Sequence, residues 1–232
     1  VATRAIAIAV LLTAAFGLTA CGTEEPGHRP IDAKAVADLV DRQTASRRTV
    51  HVRAVVAVGP VFGRWEGVVR TGPGGGADIR YTTERTRQRY VVLGDTVYTE
   101  LDEVERALRR IDRPWRKVTE HSTDSLDRSA FDTARKTMAA VDVGRLTGRI
   151  RAGTVTRSTS EPLDGRPATH HTIEVPDTVV YELWVDGDGL PLRLVRGEDP
   201  KATPALGITI TFSGWGEPVT VEAPPAAGVS GP

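Results

Sequence analysis

Apolar and polar side chains alternate strictly along several stretches of this chain. Such alternation marks a strand with one face in a core and the other in water. The clearest run is Ile208-Thr209-Ile210-Thr211-Phe212-Ser213. Val50, Val52, Ala54, Val56 and Val58 alternate in the same way, as do Trp65, Gly67 and Val69, and then Ala77, Ile79 and Tyr81. Residues 89–93 and 96–101 flank Gly94-Asp95, a two-residue hairpin turn. These five runs predict a strand meander. A short strand is predicted over Trp115–Val118, and a second series over 150–158, 168–175, 180–185, 190–195 and 206–213.

Between these runs the period changes to that of a helix. Val36, Leu39 and Val40 form an i, i+3, i+4 stripe behind Asp32, a good N-cap, and predict a helix over 33–46. Phe131, Ala134, Met138 and Val141 share one face of a second helix over 125–141. Leu101, Val104, Leu108 and Ile111 fall at helical spacing too. They predict a short amphipathic helix over 102–110, with Glu105 placed to meet Arg109 at i, i+4. About ten or eleven strands with two main helices define an α+β chain. Its large antiparallel sheet must twist, and curling around the two helices buries all the apolar faces.

The first twenty residues follow another rule. After the single charge of Arg4, residues 5–16 are apolar except for Thr13. Twelve helical residues would cover roughly 18 Å, short of a hydrocarbon slab of about 30 Å. The run has instead the length of a signal-peptide core. Leu18-Thr19-Ala20-Cys21 follows directly and resembles the lipobox of bacterial lipoproteins. That resemblance implies diacylglyceryl transfer to the Cys21 thiol, cleavage before Cys21, and anchoring at the outer face of the cell membrane. Each buried methylene of the acyl chains would contribute ~0.8 kcal/mol. Cys21 is the only cysteine, so once modified it leaves no thiol for a disulfide, a metal or a nucleophile.

The expected organisation is a signal peptide over 1–20, a lipidated tether over 21–30, a folded domain over 31–222 and a disordered Pro/Ala/Gly tail over 223–232. Lysine plus arginine and aspartate plus glutamate balance at 30 each. Removing residues 1–20 takes away only Arg4 and leaves a net charge of −1. A near-neutral domain exerts no general pull on nucleic acid, which is not an expected partner. The basic run 85–89, with Arg80, Arg109 and Arg110, could gather into a cationic patch, but a solvated sheet face is the simpler expectation.

Motifs that carry chemistry are weak here. Asp186-Gly-Asp188-Gly opens like a calcium loop, but the fifth and twelfth positions hold Leu190 and Gly197, which supply no side-chain oxygen. It reads as a hairpin turn. Gly72-Pro-Gly-Gly-Gly76 has no helix after it to receive a phosphate and reads as a strand connection. His170 and His171 adjoin within a strand, so they point to opposite faces and cannot share one ion. There is no Gly-x-Ser-x-Gly elbow and no HExxH, and Asp124-Ser125 and Ser129 have no base at helpful spacing. The expectation is a chain that is not an enzyme and needs no cofactor or metal.

The ordering of these elements resembles the LolA-like half-barrel lipid carriers, a group that includes mycobacterial lipoproteins of the LppX/LprAFG type. The features that match are the lipobox over 18–21, a leading helix, and a meander ending in Val97-Tyr98 and then Pro114-Trp115. The central helix, the hairpin Tyr181-Glu-Leu-Trp-Val-Asp186 to Leu190-Pro-Leu-Arg-Leu194, and the closing Phe212-Ser-Gly-Trp215-Gly-Glu-Pro-Val219 are also similar. The resemblance covers 18–222. It implies a half-barrel whose concave side, covered by helices, holds the acyl chains of a lipid or lipoglycan ligand. Candidate lining residues, chosen for apolarity and alternation, are Val56, Trp65, Ile79, Tyr81, Phe131, Met138, Leu183, Leu194 and Ile210. With only four phenylalanines and one methionine, flush helix packing that leaves no cavity is the alternative. An envelope sensor or scaffold binding a protein partner is the second functional expectation. A hydrolase is the third, and would need a Ser/His pair or clustered carboxylates brought together by folding.

Overall fold

Asp32 opens the described part of the chain by accepting a hydrogen bond from the Lys34 N–H at 2.9 Å, capping helix α1 (Ala33–Arg47). The computed structural model describes residues 31–58, 61–72, 74–176, 179–197 and 206–231. The expected signal peptide, lipobox and tether therefore lie outside the described residues.

After α1 the chain forms β1 (Thr49–Val58), β2 (Val61–Arg70), β3 (Gly76–Thr82), β4 (Arg87–Leu93) and β5 (Thr96–Glu100). Helix α2 (Glu103–Arg109) and β6 (Trp115–Val118) follow, then α3 (Ser125–Val141) and α4 (Val143–Ile150). The second strand series is β7 (Thr154–Ser160), β8 (Thr169–Val175), β9 (Val179–Val185), β10 (Pro191–Arg196) and β11 (Leu206–Ser213). A short 3₁₀ turn (Ala226–Gly228) leads into β12 (Val229–Ser230). Among the described residues all twelve strands join one open, curved sheet in the order β12-β6-β5-β4-β3-β2-β1-β11-β10-β9-β8-β7. Every pairing is antiparallel except β12 with β6. This is an α+β half-barrel: the alternation predicted the large curled sheet, and the resemblance implied the half-barrel.

The helices cover one face. Val50, Val52 and Ala54 of β1, Ile79 of β3, Tyr181 and Leu183 of β9, Leu194 of β10, and Ile210 and Phe212 of β11 point into it. There they meet Val36, Ala37 and Val40 of α1 and Val143, Leu146 and Ile150 of α4. A second cluster lies under α3, where Ala130 and Ala134 pack on Tyr90, Val92, Val97 and Val118. Fully burying each large aliphatic side chain contributes about 1.5–3 kcal/mol. Gly67 of β2 belongs to the inward phase, and a Cβ there would lie 2.0 Å from the Asp78 carbonyl oxygen of β3. Only glycine lets the neighbouring backbone come so close.

Three expectations are corrected. The span 143–150, including Ile150 at the predicted start of a strand, is helix α4. Val143, Leu146, Thr147 and Ile150 are its buried stripe, and Asp142 caps it by accepting from the Arg145 N–H at 3.3 Å. Two glycines within eight residues masked the helical signal. The tail over 223–232 is also structured as far as it is described. Val229 and Ser230 pair with the free edge of β6, Ser230 Oγ donates to the Trp115 carbonyl at 3.0 Å, and an Arg113 Nη donates to the Val229 carbonyl at 2.5 Å. An open strand edge offers unpaired backbone groups, and this segment satisfies them.

The third correction is α2. No residue of it is buried, and Val104 and Leu108 are 66 % and 80 % exposed. Glu105 turns back to complete a capping box with Asp102 rather than meeting Arg109. Arg109 reaches Asp127 at 2.7 Å, and Arg116 reaches the same carboxylate at 2.7 Å. Asp127 is itself buried at the start of α3, so this cluster ties α3 to α2 and β6.

Candidate functional site

Where α3 gives way to α4, the helices stand over the sheet without closing on it. A cleft of about 510 Å³ opens there, within the range of small-molecule sites, about 300–1,000 Å³. Its floor is set by register. Val56 of β1 is opposite Ile208 of β11, and Ala54 is opposite Ile210, which in turn faces Leu194 of β10. These side chains share the concave face, and Trp65 of β2 joins them across from Ala54. Leu194 and Ile210 are buried, whereas Val56, Trp65 and Ile208 remain partly open to the cleft. Ala139 and Ala140 of α3 and Leu146 and Gly148 of α4 form the overhang. Small residues are what hold the overhang open. A Cβ added at Gly148 would meet nothing within 4 Å.

The rim is polar. Lys136, Asp142, Arg145, Arg149 and Arg196 surround the apolar floor. An Arg149 Nη donates to the Tyr181 hydroxyl at 3.2 Å, holding α4 to β9. Arg196 lies in register with Ile208 on one side and Tyr181 on the other, so it occupies an inward position of β10 two residues beyond Leu194. A second cleft of about 600 Å³ borders the same helical turn. Met138, Gly72, Gly74, Gly75 and Gly76 line it, and Lys136, Ala139, Asp142 and Arg145 border both clefts.

Of the candidate lining residues, Val56, Trp65, Leu194 and Ile210 line the first cleft. Ile79 and Leu183 are sealed in the core at 2 % and 0 % exposure and reach neither cleft. Tyr81 packs on the α3 cluster with its ring 6.2 Å from that of Trp65. Phe131 belongs to the same cluster, and Met138 bridges the two cores beside the second cleft. Sequence reasoning missed Tyr181, Ile208 and Leu146, and all of the rim cations. Period-2 spacing does contain Ile208, and the helical spacing of 143–150 contains Leu146. Arg196 could have been found as a cation in phase with Leu194.

The remaining motifs resolve into turns and ion pairs. Asp186 accepts from the Asp188 and Leu190 N–H groups, a turn that closes the β9–β10 hairpin. Arg89 is held by Asp78 through two hydrogen bonds at 2.6 and 2.8 Å, and Arg109 by Asp127, so the basic run and Arg109-Arg110 do not gather into one patch. His170 and His171 do face apart. His170 stacks on Trp184 at 4.0 Å between Glu161 and Glu182, while His171 is buried beside Ser158. Burial, and secondarily the neighbouring His170, holds the His171 imidazole below the usual histidine range. Ser158 Oγ lies 2.9 Å from His171 Nδ1, but no carboxylate orients this histidine among the described residues and neither cleft contains the pair. Among the described residues no group of three or more metal-ligating side chains assembles, and no helix is long and apolar enough to cross a membrane.

A one-sheet, open half-barrel with helices over its concave face is the fold that this chain shares with two solved structures. Two solved structures that it is similar to are mycobacterial. LprF from Mycobacterium bovis aligns with a TM-score of 0.54 at 17% identity, over 83% of this chain and 96% of that one. The Mycobacterium tuberculosis lipoprotein LppX aligns with a TM-score of 0.53 at 18% identity, over 82% and 98%. Similarity at this level of identity concerns the fold. No protein-family model and no curated protein matches the sequence.

Proposed function

We propose that this chain is an extracytoplasmic lipoprotein, anchored through Cys21 to the outer face of the cell membrane, that binds a lipid in the cleft beneath α3 and α4. The observation that carries this reading is the floor of that cleft. Val56, Trp65 and Ile208 leave apolar surface open under a helical overhang built from Ala139, Ala140 and Gly148. A hydrocarbon tail laid there would exchange water for apolar contact at ~0.8 kcal/mol per buried methylene. Residues 1–20 are removed as a signal peptide, residues 21–30 form the lipidated tether, and the half-barrel stands close to the membrane from which its ligand comes. The lipobox-like Leu18–Cys21 supports the anchor. The half-barrel shared with LprF and LppX supports the binding role, and no catalytic step is assigned.

The test has two arms. The full chain is expressed in a bacterium that processes lipoproteins, and the mass of its N-terminal peptide is measured. A diacylglyceryl group on Cys21, lost with release of the protein in Cys21→Ser, is the expected result. The Cys21→Ser protein is then extracted with organic solvent, and co-purified lipid is sought by mass spectrometry. Absence of co-purified lipid together with no uptake of a fluorescent fatty acid would overturn the binding role. The rival reading, a scaffold that docks a protein, draws on the exposed Val104 and Leu108 of α2. It predicts that Val104→Ser with Leu108→Ser abolishes partner capture while lipid uptake is unchanged.

A further inference from the structure

The cleft is asymmetric in charge. Four cations and one carboxylate ring an apolar floor in a chain whose formal charge is zero. Several arginines elsewhere in the fold are neutralised at close range, among them Arg89 by Asp78, Arg109 and Arg116 by Asp127, and Arg151 by Asp38 and Asp41. At the cleft, the only ion pair among the described residues is the loose approach of Arg145 to Asp142 at 3.9 Å. Arg149 meets a neutral hydroxyl, and Arg196 Nε is buried with no hydrogen-bond partner among the described residues. A guanidinium at an inward position between Ile208 and Tyr181 carries a desolvation cost that an incoming anion would relieve. A neutral ligand would leave that donor unmet.

We infer that this cleft selects an amphiphile with an anionic head, such as a fatty carboxylate or a monoacyl phosphate. The tail lies on Val56, Trp65 and Ile208. The head is held by Arg196 and Arg149, whose planar donors suit a carboxylate or phosphate, with Lys136 and Arg145 adding charge at the exposed rim. A volume of about 510 Å³ has room for at least one long chain, at roughly 30 Å³ for a group the size of a water molecule. This inference rests on the lipid-binding reading above and names its substrate class.

The full chain carrying Cys21→Ser is titrated with the neutral fluorophore N-phenyl-1-naphthylamine, and displacement is measured with palmitate, hexadecanol, hexadecylamine and inorganic phosphate. Palmitate is expected to displace the probe at about tenfold lower concentration than hexadecanol, the effect of one charge-assisted contact. Hexadecylamine should be weaker still, and inorganic phosphate should not displace. Arg149→Gln with Arg196→Gln should erase the preference for palmitate over hexadecanol. The exposed pair Lys136→Gln and Arg145→Gln, which touches no core contact, should weaken palmitate alone by a smaller factor and serves if the first pair does not fold. Equal displacement by palmitate and hexadecanol, or an undiminished preference in whichever pair folds, overturns the inference while lipid binding stands. Displacement by phosphate as strong as by palmitate would make this a free-anion site and overturn it as well. Failure of every long-chain compound removes the lipid-binding reading itself.

Discussion

Asp127 carries more of this fold than its position in a polar helix turn announces. It is 1 % exposed and accepts from both Arg109 and Arg116, whose side chains are themselves largely covered. Removing one partner from a buried ionic cluster leaves the others without compensation, at a cost of about 3–5 kcal/mol. Asp127→Ala should therefore lower unfolding free energy by about 3 kcal/mol in urea titration, whereas Asp124→Ala, which removes an exposed cap, should cost less. His171 makes a prediction in pH. Folding holds its proton affinity below the usual 6.5, chiefly by burial. The unfolded chain therefore takes up a proton that the folded chain resists. The stability is intact above about pH 6.5 and is lost as pH falls through that value toward the folded one. Between pH 7.5 and 5.5 (about the range where histidine titrates), the native chain should lose more stability than His171→Gln. Equal losses would show that another group controls the acid response.

At the scale of elements, α4 decides whether there is a cleft at all. Its buried stripe of Val143, Leu146, Thr147 and Ile150 docks it, and Asp41 of α1 accepts from Thr147 Oγ1 at 2.5 Å. Gly148 faces the opening. A leucine there replaces a residue poorly suited to a helix interior, a gain of up to about 1 kcal/mol, and fills open space. Gly148→Leu should keep or raise the melting temperature while lowering fatty-acid affinity at least tenfold. A melting temperature that collapses would mean the overhang is tighter than its geometry indicates. The alternation of β1, β3 and β11 made these strands legible before folding, because period 2 survives in any half-buried strand. Helix α4 was not legible as a helix. Gly144 and Gly148 lower its propensity, and docking against α1 and β8 supplies what local preference lacks.

For the whole molecule, closure of the sheet edge is the feature composition conceals. Residues 223–231 read as a tail, yet Val221 is buried beside Gly76, and Val229-Ser230 then complete the sheet alongside β6. Arg116 adds a hydrogen bond to the Gly231 carbonyl. Deleting residues 226–232 should lower stability by about 1–2 kcal/mol through the lost edge bonds. It should also increase self-association, read by analytical ultracentrifugation, because the β6 edge becomes a template for pairing. Unchanged stability and a monomer would show that the β12 pairing contributes nothing.

The sequence by itself determined which side chains face inward on most strands, where α1 and α3 begin, and that the sheet must be large and curved. Each of these follows from local periodicity, capping and the need to bury one face. Only the tertiary structure decided that Ile79 and Leu183 are sealed while Val56 and Trp65 stay open, since exposure depends on where a helix from elsewhere in the chain comes to rest. The charge of the cleft was likewise decided there. Lys136, Arg145, Arg149 and Arg196 are scattered over sixty residues, and only the docking of α3 and α4 across β10 brings them to one rim.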